Sequence, residues 1–198
     1  MDPAASLRIG CLVMAAGNAS RFGANKLAAE LDGRTLIERA LDAVPKGMFA
    51  AVCVASQYEG IEELAGKYGF APIHNAHSDW GLSYTIRLGT QAMRACDGIL
   101  YLVADQPLLR RDSVQRIAEA WLRTPEKIAG ASHEGRRGNP NLFPARFFPE
   151  LLALEGDCGG NLVIKRHTED YLPVELAPEE LRDCDTPQEL AALRIQAE

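Results

Sequence analysis

Residues 9–26 read Ile9-Gly10-Cys11-Leu12-Val13-Met14-Ala15-Ala16-Gly17-Asn18-Ala19-Ser20-Arg21-Phe22-Gly23-Ala24-Asn25-Lys26. An unbroken apolar run that gives way at once to small and polar residues is the mark of a strand buried on both faces. Next to it, residues 35–44 place Leu36, Ile37, Ala40, Leu41 and Val44 at helical spacing, and Glu38 stands three residues after Thr35, a capping box. The alternation then repeats, with strands expected over 51–55, 71–74 and 98–103 and helices over 61–68, 83–95 and 113–122. Strands alternating with helices require parallel pairing through right-handed crossovers. The expected fold class is therefore α/β, a three-layer α/β/α sandwich around a mostly parallel sheet. Beyond Pro125 the rhythm loosens. A strand over 128–132, a turn at Glu134-Gly135, an extended piece over 141–143 and short helices over 147–154 and 160–166 are expected there. A strand over 171–176 and a closing helix over 187–194, capped by Asp185 or Thr186, complete the chain.

The 198 residues leave room for one domain, 1–198. Hydrophobic residues at 47% and charged residues at 24% are ordinary for a globular chain and argue against disorder. No apolar run approaches the roughly 20 residues that cross a bilayer. The opening Met1-Asp2-Pro3-Ala4-Ala5-Ser6 lacks a basic segment followed by an apolar one, so a cytoplasmic protein is expected, with no membrane partner. A net charge of −6 argues against nucleic acid as a partner, but a small phosphorylated ligand needs only a local cluster of cations. The five cysteines are scattered and never spaced Cys-x-x-Cys, which fits reduced thiols. The four histidines form no metal-binding pair at helical spacing, Trp121 belongs with the core, and Trp80 is placed to shield a site mouth.

Ligands of open α/β sheets sit beyond the carboxyl ends of the strands, which singles out the loops at 15–26, 75–83, 104–109 and 183–187. The first suits an anion. Its small residues let backbone N–H groups come close, Arg21 offers a planar fork, and Lys26 offers a mobile point charge. It is not a P-loop, because Leu27 follows Lys26 and two residues separate Lys26 from Gly23, and the dinucleotide pattern Gly-x-Gly-x-x-Gly is absent. Asp105 follows a buried strand, where one carboxylate suffices to begin a Mg²⁺ site completed by phosphates and water. Asp183 and Asp185, two apart on an extended segment, share a side and face a metal together, or Asp185 caps the last helix. Gly81, Ser83 and Thr85 open a helix whose N-terminus favours anions, with Ser83 alternatively an ordinary cap.

These segments, in this order, resemble the signatures of the nucleotidyltransferases that act on molybdenum cofactor, the MobA-like NTP transferases. Met14-Ala15-Ala16-Gly17 through Arg21-Phe22-Gly23 to Lys26 is similar to the nucleotide loop, Asp105-Gln106-Pro107 to Asp-x-Pro, and Asp183-Cys184-Asp185-Thr186-Pro187 to the terminal Asp-x-Asp-Thr-Pro. Asn75 to Gly89 resembles the stretch near base and acceptor, while Arg136-Arg137-Gly138-Asn139-Pro140-Asn141-Leu142-Phe143 and Gly156-Asp157-Cys158-Gly159 resemble the acceptor side. The resemblance covers residues 8–194 and implies a Rossmann-like, nucleotide-diphospho-sugar-transferase-like sheet. It implies a nucleotide-binding half, 8–125, using Ala15, Ala16, Gly17, Arg21, Lys26, Gly81, Ser83 and Thr85, and an acceptor half, 126–198, using Arg137, Asn139, Gly156, Asp157 and Gly159. Arg21, Lys26 and Asp105 would be catalytic, and Asp105, Asp183 and Asp185 would hold Mg²⁺. The implied reaction moves CMP from CTP to molybdopterin-type cofactor, releases pyrophosphate, and hands the product to a molybdoenzyme. Ala15-Ala16-Gly17 resembles the cytidylyl branch. GTP as donor, another phosphorylated acceptor, or a non-catalytic cofactor-delivery chaperone are the alternatives. Gly160 and Asn161 depart from the small residue and Arg that the family often has after Gly159, so one expected cation is missing.

Overall fold

The computed structural model describes residues 7–17 and 25–195, with side chains up to Leu193. Nine strands and seven α-helices are present among them: β1 (Ile9–Ala15), β2 (Glu30–Leu31), β3 (Arg34–Thr35), α1 (Leu36–Asp42), β4 (Ala51–Ser56), α2 (Glu59–Lys67), β5 (Ala71–His74), α3 (Leu82–Ala92), β6 (Gly98–Val103), α4 (Arg111–Arg123), β7 (Ile128–His133), β8 (Arg136–Pro144), α5 (Phe148–Leu152), α6 (Asn161–Arg166), β9 (Tyr171–Glu175) and α7 (Pro187–Ile195). Seven strands form one sheet in the order β5-β4-β1-β6-β8-β7-β9, and β2 pairs with β3 alone.

Six of the seven strands run the same way, as the alternation requires. The exception is β8, which is antiparallel to both β6 and β7. Its direction follows from the connection: Glu134 and Gly135, both with positive φ (47° and 78°), form a two-residue turn that returns the chain along β7, and so short a link permits only an antiparallel pair. β8 is also longer than residues 141–143, because Gly138, Asn139 and Pro140 weaken its strand pattern yet still pair.

The sheet is covered on both faces, which is why β1 and β6 at its centre are apolar throughout. Cys11, Val13 and Ala15 of β1 face a core completed by Leu36 and Leu41 of α1, Ile61 of α2, Ile117 and Trp121 of α4 and Leu193 of α7. Leu12, between them, faces the opposite core with Ile86 of α3, Leu151 of α5 and Val163 of α6. The period-2 alternation of β1 thus serves two helix layers. The Thr35–Glu38 capping box opens α1 as expected: Glu38 N–H reaches the Thr35 hydroxyl at 3.3 Å and Thr35 N–H reaches the Glu38 carboxylate at 2.8 Å.

Helix α3 lies unusually close to β1. A Cβ on Gly89 would stand 2.3 Å from Leu12 Cδ2, so only glycine permits this approach. The chain builds β1, β4 and β5 outward on one side and then crosses to β6 on the other, so a topological switch lies between β1 and β6, where both strands end. Among the described residues no helix is long and apolar enough to cross a membrane.

Candidate active site

A cavity of about 560 Å³ opens at that switch point, lined by Ala16 and Gly17 after β1, Lys26 and Leu27, Ser78 to Leu82 in part, Thr85, Asp105 after β6, Asp157 and Asp185. At its floor Lys26 Nζ donates to Asp105 Oδ2 at 2.8 Å and to Asp185 Oδ1 at 2.7 Å. Lys26 begins a single 3₁₀ turn whose N-cap, Asn25, accepts the Leu27 N–H at 3.1 Å, and the buried Leu27 pins that turn to the core. Burial of the Lys26 ammonium works against its charge, but the Asp105 and Asp185 carboxylates outweigh it and raise its pKa above the usual lysine value. Lys26 is a fixed cation at neutral pH.

The terminal segment reaches the site through the backbone. Cys184 N–H donates to Asp105 O at 2.8 Å and the Cys184 side chain is fully buried, so its two neighbours point the other way, as an extended segment demands. They part company beyond that. Asp185 lines the cavity, whereas Asp183 accepts from Gln106 Nε2 at 3.0 Å and does not line it. Desolvation and then the Asp105 charge raise the Asp183 carboxyl above the ordinary Asp value, Gln106 opposing them. Asp185 does not cap α7 through its side chain; its own N–H and that of Thr186 donate to Glu189 Oε2, both at 2.8 Å.

The donor chemistry of Asp105 and Asp185 suits a divalent cation. Two carboxylate oxygens within 2.8 Å of one nitrogen offer hard ligands with room left for phosphate oxygens and water, which is how Mg²⁺ is usually held. Among the described residues the one tight group of three ligand-type side chains lies elsewhere, at His167, Glu169 and Asp170. There Asp170 already pairs with Arg146 at 2.9 Å and Lys127 at 3.5 Å, and His167 with Glu150 at 2.7 Å, so the group is an ion-pair network.

The second wall is the N-terminus of α3. Its N-cap is Gly81 at φ +86°, which makes no side-chain cap, and a Cβ there would sit 2.5 Å from the Gly156 carbonyl. The loop of Gly156 and Asp157 closes the helix instead: Leu82 N–H donates to Asp157 Oδ1 and Ser83 N–H to Gly156 O, each at 3.3 Å. Asp157 therefore occupies the helix end, a cap from 75 positions away that no local pattern announces. Ser83 is fully buried, has no partner for its hydroxyl, and does not line the cavity. Thr85 does line it, with its hydroxyl held by Asn75 Nδ2 at 2.9 Å; Asn75, which opens the stretch resembling the family's base and acceptor motif, is itself buried. Ala15 and Ala16 are both buried, Ala15 O accepting from the Ser56 hydroxyl, so Gly17 is the exposed edge of the first loop, while Ala16 and Gly17 both border the cavity. Arg21 falls outside the described residues.

A smaller cavity of about 170 Å³ adjoins the first, sharing Met14, Leu82 and Val103 as walls. Asn139, Asn141, Asn161, Tyr101, Phe143 and Gly159 line it. The acceptor-side residues thus divide: Asn139 and Gly159 lie in the smaller cavity, and Asp157 lies in the larger. Arg137 lines neither and rests its guanidinium over the Tyr171 ring at 5.8 Å. Trp80 stacks on His77 at 4.0 Å, half exposed, outside the lining of the cavity beside it.

Comparison with known proteins agrees with this architecture. Residues 11–171 match the family model described as the MobA-like NTP transferase domain. The purine catabolism protein PucB of Bacillus subtilis (strain 168) is 28% identical, over 91% of this chain and 93% of that one. Among solved structures, a nucleotidyl transferase from Methanothermobacter thermautotroptrophicus superposes with TM-score 0.77 at 23% identity, covering 96% of this chain and 97% of its own. The manganese complex of Rv0371C from Mycobacterium tuberculosis H37Rv does so with TM-score 0.74 at 17% identity, covering 96% and 100%. With a family match across most of its length and the expected sheet, this chain belongs to the MobA-like NTP transferases.

Proposed function

We propose that this protein transfers CMP from CTP to a molybdopterin-type cofactor and releases pyrophosphate, with Mg²⁺ held by Asp105 and Asp185. The observation that carries the reading is the convergence of Lys26, Asp105 and Asp185, from three distant parts of the chain, at the switch point between β1 and β6. The cavity is otherwise acidic. Asp79, Asp105, Asp157 and Asp185 line it beside Lys26 as the described cation, so a triphosphate requires further positive charge to enter. A divalent ion on Asp105 and Asp185 would supply that charge, together with Arg21, to which the family resemblance gives a phosphate-binding role.

Held by Asp105 and Asp185, such an ion would offset charge on the phosphates of the donor. Lys26, already cationic and within reach of the cavity floor, holds phosphate oxygens as negative charge develops. The Ala16-Gly17 edge brings backbone close to the triphosphate. No side chain needs to act as general base, because a phosphate nucleophile is already ionised near neutral pH, so alignment and electrostatics carry the rate. Residues 8–125 form the nucleotide side and residues 126–198 the acceptor side, with the smaller cavity and its asparagines as the seat of the acceptor. Cytidine is argued from Ala15-Ala16-Gly17, which resembles the cytidylyl branch.

Calorimetric titration with CTP, GTP, ATP and UTP, each with Mg²⁺ and with EDTA, tests this. CTP-selective binding lost in EDTA is expected. A preference for GTP would transfer the reading to guanylyl transfer, and heat-silent titrations with all four would remove nucleotide transfer altogether.

A further inference from the structure

Asp105 and Asp185 reach the site from opposite ends of the chain's second half, and the sheet alone does not fix their spacing: β8 and β7 stand between β6 and β9. Something else must hold the two segments together. Glu180, in the 3₁₀ turn Pro178–Leu181, is fully buried, the one acidic side chain so described. Its Oε2 accepts the Arg110 N–H at 3.0 Å and its Oε1 accepts Arg110 Nη2 at 2.9 Å, with the Ser113 hydroxyl as a further donor. Arg110 is the N-cap position of α4 and makes no side-chain cap of its own, so Glu180 closes that helix from the terminal segment.

The position along the chain matters most. Arg110 lies five residues after Asp105, and Glu180 lies five residues before Asp185. Between these points Gln106 Nε2 bridges to Leu181 O at 3.3 Å and to Asp183 Oδ1 at 3.0 Å, and Cys184 N–H bonds to Asp105 O. The three links form a ladder whose outer, charge-assisted rung is Glu180–Arg110. A carboxylate shut off from solvent is costly unless fully partnered, and a helix end could have been capped by a surface Ser or Asp at less cost.

From this we infer that Glu180 is a positioning residue for the metal site: through Arg110 and Ser113 it sets the distance between the Asp105 and Asp185 carboxylates. The inference rests on the metal reading of those two residues given above.

The test is Mn²⁺ binding to the intact protein without nucleotide, followed by electron paramagnetic resonance well below the melting temperature of each variant. Glu180→Gln should weaken Mn²⁺ about tenfold, the low end of what outer-shell partners usually cost. Arg110→Ala keeps the backbone rung, its side chain is mostly exposed, and it should lose less affinity while staying folded. Glu179→Gln, on the exposed neighbour, should bind as wild type. A purely structural cap would instead lower the melting temperature of Glu180→Gln and leave its Mn²⁺ affinity, measured on folded protein, unchanged; that result overturns the inference. Should Glu180→Gln fail to fold, wild-type affinity in Arg110→Ala overturns it equally. If the wild type itself binds no Mn²⁺, the metal reading of Asp105 and Asp185 falls first and the inference falls with it.

Discussion

Replacing Lys26 by Met should make the protein bind a divalent cation more tightly while it loses turnover. Methionine keeps the aliphatic stem, which is largely buried, and removes only the ammonium. That ammonium contacts Asp105 at 2.8 Å and Asp185 at 2.7 Å, the two carboxylates proposed above to hold the metal, so without substrate the two cations would compete for the same oxygens. The carboxylates are 26% and 48% exposed, which places both pairs among partly solvated ones. Such pairs are worth on the order of 0.5–1 kcal/mol each, so removing the one competitor that makes both should tighten the metal by ~1–2 kcal/mol, roughly 5–30-fold in Kd. Turnover should move oppositely, by about 10²–10³, because the triphosphate loses a donor aimed at its developing charge. The assay is a Mn²⁺ titration of folded Lys26→Met without nucleotide, beside its rate of pyrophosphate release. Equal or weaker Mn²⁺ binding would refute the reasoning, since it would mean that the lysine does not sit on the metal's ligands.

Other consequences are simpler. Gly89→Ala, usually stabilising in a helix, should here destabilise by ~1–3 kcal/mol in urea unfolding, because its methyl would meet Leu12 at 2.3 Å and must push α3 off β1. Thr35→Ala removes one half of the α1 capping box and should cost about 1 kcal/mol by the same measurement. Asp183→Asn should raise the melting temperature slightly at neutral pH. The Asp183 carboxyl has its folded pKa raised, so its charged form costs stability above that pKa, and the gain should vanish as the pH falls below the unfolded value and Asp183 is protonated in both states. Glu180 behaves with the opposite sign. Its carboxyl is held below the usual glutamate value because its Ser113 and Arg110 partners outweigh the desolvation that opposes them, so its contribution is present above the unfolded value and is lost as pH drops through the folded one. The melting-temperature gap between wild type and Glu180→Gln should therefore close in acid.

The layered fold is legible in the chain because its central strands are buried on both faces and its helices carry single apolar stripes; β1, β4, β5 and β6 and the capped start of α1 lie where periodicity and capping place them. What escapes is set by elements too short or too composite for a period. The β2–β3 hairpin has two residues a side, and its sign was Asp32-Gly33, both at positive φ (51° and 73°), the usual pair for such a turn. The direction of β8 was carried by Glu134-Gly135 and its length was masked by Pro140.

In the site, the residue types were readable but their meetings were not. Lys26, Asp105 and Asp185 stand 79 and 159 positions apart in their two pairings, and only tertiary packing brings them to one point. Asp157 reads as an acceptor residue yet serves as the remote cap of α3, and Ser83 reads as a contact yet is sealed inside. Glu180 carries no local signal at all, because burial of a charge depends on partners supplied by another segment.

The most direct test of the account is incubation of the wild-type protein with CTP, Mg²⁺ and molybdopterin-type cofactor, with pyrophosphate and the nucleotide product both quantified. Stoichiometric pyrophosphate and a cytidine dinucleotide of the cofactor, both abolished in Asp105→Asn, are predicted. Tight CTP binding with no pyrophosphate above the enzyme-free control would contradict it and leave a protein that holds nucleotide or cofactor without transferring.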